Sequence, residues 1–401
     1  MNLVAVNIDS IRLGQPLPFA LRNERGVLLA NKGFVITDRS EITYWTSRGM
    51  TLCMDVDASE EHHRAYVGKL HEMVRSDRPL GDIVNVRMAP SDMARAEVRE
   101  RPDVPDWTAL QLKANALLRD TASEQFLPRL DKLYNELHQL VQHHPDATLF
   151  ALIHLSATEM RIYSATHAML VYVVCSLAAS EVLNWSPELD AKLGKAALTM
   201  NISMTALQDQ LAMQSKPLTV TQIEAVEQHA QRSFSMLLAM GVDDEDWLLA
   251  VRHHHDRAPG ALAPKTDAMR IARLIQRADM FAARLSPRLG RLCMAPSAAM
   301  QAAYFDEEKK VDEAGAALVK AVGVYTPGTL VRLATNEVAA VIRRGLNTTT
   351  PHVAVLINRQ GMPTGEWMIR DTSQPSYKII GHVAHRDVKV QIKLDSLLEL
   401  I

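Results

Sequence analysis

The chain has 401 residues, of which 47% are hydrophobic and 22% charged, and its formal net charge is −2. That length suits two or three domains, and the composition is that of a protein able to bury a core. The near-neutral balance supplies no field to attract nucleic-acid polymers or an anionic membrane, and no basic run stands out.

Met1 to Asp9 lack a basic start followed by an apolar stretch, so no secretory signal is read there. The cysteines, Cys53, Cys175 and Cys293, are odd in number and far apart. Without a CxxC pair they fit free thiols in a reducing compartment, and the expected location is the cytoplasm. Residues 1–57 read as a small β-rich module. Leu3 to Val6 is a short apolar run, and Gly26 to Gly33 reads as a strand bracketed by turn residues. Ser40 to Gly49 predicts one short helix, with Ser40 as N-cap and Gly49 as its stop. Residues 58–105 form a connector, punctuated by Arg78-Pro79-Leu80-Gly81-Asp82 and Arg101-Pro102-Asp103-Val104-Pro105.

From 106 to 325 the pattern is helical. Leu130, Leu133, Leu137, Leu140 and Val141 share one helix face, and Pro145 ends that helix. Ser164 to Ser180 is almost uncharged but short for a membrane span, and reads as a buried core helix; no membrane insertion is expected. Ser186-Pro187-Glu188 is a helix start, with an N-cap, a first-turn proline and an acid at the positive end. Thr219 to Gln222 and Thr221 to Glu224 both fit a capping box. Residues 326–401 read as a second small β-rich module. Thr326-Pro327-Gly328-Thr329 is a turn, and Leu330–Leu333, Val338–Ile342, Val353–Ile357, Trp367–Ile369 and Tyr377–Ile380 are short strand-like runs.

The chemistry-bearing residues are histidines and acids on the helical segment: His167, His229, the cluster Arg252-His253-His254-His255-Asp256, and Asp279. Imidazoles and carboxylates on rigid helices are what a divalent transition-metal site requires. Neighbours on a helix point about 100° apart, so adjacent histidines serve two metals, or one metal and a supporting role. Each has a plainer reading. His167 and His229 fit core histidines bonded to carbonyls, and Asp279 fits a partner for Arg277 or a nearby histidine. His253 fits a solvated position, and His62-His63 and His143-His144 fit exposed polar pairs. Met200 and Met204 fit core filling.

In order and spacing these residues resemble the HD-GYP family of cyclic-di-GMP phosphodiesterases, a branch of the HD phosphohydrolases. The resemblance runs from about 145 to 325. It is carried by the histidine-bearing helix with Ile162-Tyr163-Ser164-Ala165-Thr166-His167, the segment Ala196-Ala197-Leu198-Thr199-Met200-Asn201-Ile202-Ser203-Met204, His229 after Leu218-Thr219, His254-His255-Asp256-Arg257, and Ala278-Asp279-Met280-Phe281-Ala282-Ala283. It implies a mainly α fold, an HD-type helical bundle flanked by the two β-rich modules. It further implies His167, His229, His254, His255 and Asp279 as metal ligands.

The departures from the family pattern matter as much. Met200 and Asn201 stand where the family has its His-Asp doublet, whose aspartate bridges two metals, and Met204 stands where it has a lysine. Two dications about 4 Å apart repel by roughly 15 kcal/mol at an effective dielectric near 20. A neutral amide cannot offset that repulsion as a bridging carboxylate does. In the signature loop Leu262 and Ala263 replace the second glycine and the tyrosine, while Gly260 and Pro264 remain. Three function readings follow. In the first, a degenerate HD-GYP-like signalling protein acts by binding a cyclic dinucleotide or a protein partner, with hydrolysis impaired. In the second, a metal-dependent phosphodiesterase keeps one divalent metal, Fe, Mn or Zn. The third is a purely structural helical domain like the related HDOD adaptors.

Overall fold

The structure is a computed structural model. It describes residues 105–289, 294–390 and 394–401 without a break, most of 3–55 between gaps, and positions 69 and 73. Most of the helix expected over Ser40–Gly49, nearly all of the connector with His62-His63, and Cys293 lie outside the described residues. The chain divides into two compact units, Met1–Leu110 and Gln111–Ile401.

The first unit carries an antiparallel sheet of β1 (Leu3–Ala5), β2 (Leu21–Asn23), β3 (Leu28–Ala30) and β4 (Leu52–Asp55), in the order β1-β4-β2-β3. Met54 lies opposite both Val4 and Leu21. It is fully buried with Phe19, Ile36 and Leu52, so one sheet face makes this small core.

The second unit is mainly helical, and helix α1 (Trp107–Arg119) crosses the boundary into it. Next come α2 (Phe126–His143), α3 (Pro145–Thr158), α4 (Tyr163–Glu181) and α5 (Pro187–Thr199). After a 3₁₀ turn, Ile202–Met204, follow α6 (Thr205–Ala212), α7 (Val220–Ala239), α8 (Glu245–His253), α9 (Asp267–Leu285), α10 (Pro296–Tyr304) and α11 (Glu313–Val322). α2 buries Leu130, Leu133, Leu137 and Val141, with Leu140 half-buried at the margin of that face. α4 is the one described helix long and apolar enough to cross a membrane, and it is buried along nearly its whole length, as a core helix is. Asp209 caps its start by accepting the Ser164 N–H at 2.7 Å and pairs with Arg119.

The helix starts follow the sequence closely. Ser186 caps α5 through the Leu189 N–H, with Pro187 in the first turn. Of the two capping boxes expected near 220, the Thr219–Gln222 box forms, and Thr221 falls inside α7. His143 and His144 are exposed. On α9, the buried Arg273 and Arg277 hold Glu307 and Asp312, which anchors the 305–312 segment. Such guanidinium–carboxylate pairs satisfy charges that burial would otherwise penalise heavily.

The C-terminal strands are β5 (Leu330–Leu333), β6 (Val338–Arg343), β7 (His352–Ile357), β8 (Pro363–Asp371) and β9 (Ile379–Val383), with α12 (Leu394–Leu398) at the end. The sheet is antiparallel, in the order β8-β7-β6-β5-β9. It belongs to the same compact unit as the helices. Gly328 has φ +90, and a β-carbon there would meet the Phe150 carbonyl of α3 at 2.7 Å, so only glycine allows this close approach. Arg344 adds ion pairs to Asp146 and Glu181.

Candidate metal centre

α7 turns His229, Ser233 and Leu237, four residues apart, toward the core. The 202–204 turn is fastened to the same face. Ser203 donates its hydroxyl to the His229 carbonyl at 2.9 Å, and its N–H reaches the Ser233 hydroxyl at 3.3 Å. His254 and His255 follow the last residue of α8, which packs against α7. Because they leave the helix there, both side chains reach His229. The helical expectation that adjacent histidines diverge fails at this point.

The three imidazoles form a tight group. His229 Nε2 lies 3.2 Å from His254 Nε2 and 3.1 Å from His255 Nε2. Among the described residues it is the one group of three or more such side chains whose ligand atoms all lie within 4.8 Å of one another. His229 and His254 are buried, and His255 is exposed. His254 Nδ1–H donates to the Val251 carbonyl at 2.6 Å, and His229 Nδ1–H donates to the Val226 carbonyl. Each Nε2 is therefore left with its lone pair, and the two lone pairs face each other. A proton between them would relieve this, but burial opposes it. Burial, aided by the charges of His255 and His229, pushes His254 down to about 3. Burial also lowers His229. Neutral rings fixed through Nδ1 to carbonyls, with Nε2 converging, are the arrangement of metal-binding histidines. Two nitrogens bound at 2.0–2.1 Å to one tetrahedral ion lie roughly 3.3 Å apart. The observed separations are close to that, so these residues fit one cation.

The other expected ligands are engaged with each other. His167, on α4, donates from Nε2 to Asp279 Oδ1, on α9, at 2.8 Å. Of the plainer partners foreseen for Asp279, the histidine is the one found. Arg277 turns instead to Glu307 and to the Phe305 carbonyl. Burial alone would raise the Asp279 carboxyl, but the His167 hydrogen bond and the fields of His167, His255 and His254 hold it well below its usual range. The pair thus lies within electrostatic reach of the three histidines. His253 lies apart and pairs with Asp256 at 2.7 Å.

The family's doublet position is occupied as core. Met200 is fully buried, Met204 is half-buried, and Asn201 is buried with no hydrogen-bond partner at its Oδ1. No carboxylate stands at 201 to bridge two cations, and the residues present do not fit a binuclear centre.

Two residues escaped the sequence reading. The Tyr163 ring stacks on His167, and its hydroxyl lies 3.4 Å from His167 Nδ1. Arg288 donates to that hydroxyl at 3.1 Å, and its guanidinium sits 5.1 Å from the ring centre. Among the described residues Arg288 has no carboxylate partner, and its Nε is buried without a hydrogen bond. In sequence it stands only nine positions after Asp279, without a motif of its own.

No family model matches the chain. It is similar to a cyclic di-GMP phosphodiesterase of Pseudomonas aeruginosa, with 28% identity over 244 residues, covering 56% of this chain and 55% of that protein. The chain thus spans about half the length of the curated relative it matches. A solved HDG"Y"P protein from Bdellovibrio bacteriovorus aligns with a TM-score of 0.43 at 14% identity, covering 79% of this chain and 98% of that one. The curated relative bears the activity of the family that the motifs resemble.

Proposed function

We propose that this chain is an HD-GYP-type signalling protein that binds a cyclic dinucleotide beside a single divalent cation and hydrolyses it poorly or not at all. The observation that carries this reading is the division of the ligand set. Three imidazoles converge through their Nε2 atoms, while His167 and Asp279 satisfy each other and Asn201 stands at the bridging position.

His229, His254 and His255 would hold the cation, which supplies, when bound, a Lewis acid for a phosphoryl oxygen. The other work falls to the chain's own groups. The carbonyls of Val226 and Val251 keep two rings in the tautomer that presents Nε2. The Tyr163 hydroxyl and ring fix Arg288, whose guanidinium, without a carboxylate partner among the described residues, suits a phosphate anion. It offers positive charge where Met204 offers none. The expected setting is the cytoplasm, in keeping with the buried free thiols of Cys53 and Cys175.

The test combines metal analysis of protein purified without chelator, calorimetry with cyclic di-GMP and a hydrolysis assay. One metal per chain with dinucleotide binding and no turnover is the expected result. Two metals per chain with rapid hydrolysis would overturn the reading. A second reading, a slow mononuclear phosphodiesterase, is favoured by the near-tetrahedral spacing of the imidazole nitrogens. It predicts weak turnover lost in His254→Ala.

A further inference from the structure

β8, nine residues long, is an edge strand of the C-terminal sheet. Glu366, Trp367, Met368 and Ile369 are four exposed residues in succession. Side chains alternate across a strand, so this edge shows apolar groups on both faces. Trp367 is 38%, Met368 36% and Ile369 43% exposed. Protein edges are normally blunted by shortness, lysine or proline. Here no lysine falls between Pro363 and Asp371, and the single proline is the first residue. β7 occupies one side of the strand, with Val355 opposite Met368 and Ala354 opposite Ile369, and no described strand occupies the other.

We propose that β8 is a dimerisation strand, pairing antiparallel with β8 of a second copy about a two-fold axis at Met368. The sequence of the strand is self-complementary in that register. Trp367 falls opposite Ile369 of the second copy, and Glu366 falls opposite Arg370, each pair occurring twice. A slip by one residue destroys this. One direction sets Glu366 against Asp371, two like charges, and the other sets it against Ile369. Arg370 is already fixed by Glu337 at 3.1 Å and by the Tyr377 ring at 4.8 Å, so its charge is held in place on the strand. Pro363 falls beyond the paired core, opposite Ser373, where its missing N–H interrupts nothing. The contact is isologous and closes at two copies.

Light scattering of the full chain over a dilution series tests this, with a dimer of twice 44.6 kDa expected. Trp367→Lys with Ile369→Lys should give a monomer with an unchanged circular dichroism spectrum. Should that variant lose its fold, Glu366→Arg decides, since it sets arginine against Arg370 at an exposed position. It should weaken the dimer about tenfold. Met368→Cys should form a disulfide-linked dimer on oxidation where the native chain forms none, because directly opposed α-carbons of an antiparallel pair lie about 4.5–5.5 Å apart, within the span of a disulfide. A monomer at every concentration overturns the proposal. So does a dimer indifferent to Glu366→Arg, or one in which Met368→Cys does not cross-link.

Discussion

Removing the His254 imidazole tests the three-histidine centre most directly. With zinc a hundredfold above its Kd, occupancy stabilises the native state by about 2.7 kcal/mol. His254→Ala deletes one of three converging donors, the one most deeply buried. A hundredfold loss of affinity is about 2.7 kcal/mol of binding. At the same zinc concentration the variant then gains only about 0.4 kcal/mol. The cavity lowers its stability with and without metal alike, so the readable quantity is the difference between the two conditions. Urea unfolding with and without zinc, beside competition against a chromophoric chelator, gives that difference twice. His167→Ala is the internal control, because its Nε2 is spent on Asp279 and it stands outside the group. It should keep most of the zinc stabilisation. If His254→Ala binds zinc within threefold of the native chain, or His167→Ala loses as much as His254→Ala, the assignment of the centre is refuted.

Three further outcomes are expected. His385 is pushed down to about 4, first by burial and then by His154 and His382, so the folded state refuses a proton that the unfolded chain accepts. Stability is then full above pH 6.5 and falls by about 3 kcal/mol as pH drops toward 4; urea midpoints against pH should show this slope, and His385→Gln should flatten it. Gly315→Ala would set a β-carbon 2.1 Å from the Ala303 carbonyl oxygen, a backbone atom with no room to yield, and should cost about 3 kcal/mol or more in a thermal or urea melt. Met200→His with Asn201→Asp should raise the bound metal from one to two per chain by elemental analysis, and no gain would show that the second position cannot be rebuilt by restoring its donors.

Local signals in the sequence carried most of the fold. Capping residues placed the starts of α5 and α7, and β-branched runs placed β5, β6 and β7 within a residue at each end. Two short strands of the first unit, β2 and β4, had no such signature. Leu52 to Asp55 owes its strand form to pairing with both β1 and β2, which local pattern does not contain. The same limit applied to the centre. The five candidate residues stood out in the sequence, but not their division into a group of three and a pair, since His167 and Asp279 are 112 positions apart and meet only when α4 packs on α9. Arg288 was missed because the contact that singles it out is with Tyr163 on α4, 125 positions earlier in the chain.

The departures at 201, 204 and 262 act on separable demands. Holding a phosphodiester requires cations in fixed places, and under the proposed function Arg288 and one cation at the three histidines would meet that demand without any group at 201. Cleavage through two metals linked by a carboxylate makes a further demand, and the neutral amide of Asn201 cannot supply that link. Leu262 points the same way. Its side chain is buried and its N–H is held by Glu313 at 2.7 Å, so the loop after His255 is packed onto its own body at the position of the family's second glycine. His254 bears on the same reading: burial keeps its ring neutral, Nδ1 is spent on the Val251 carbonyl, and a cation at Nε2 would satisfy a lone pair that the apolar surroundings otherwise leave stranded.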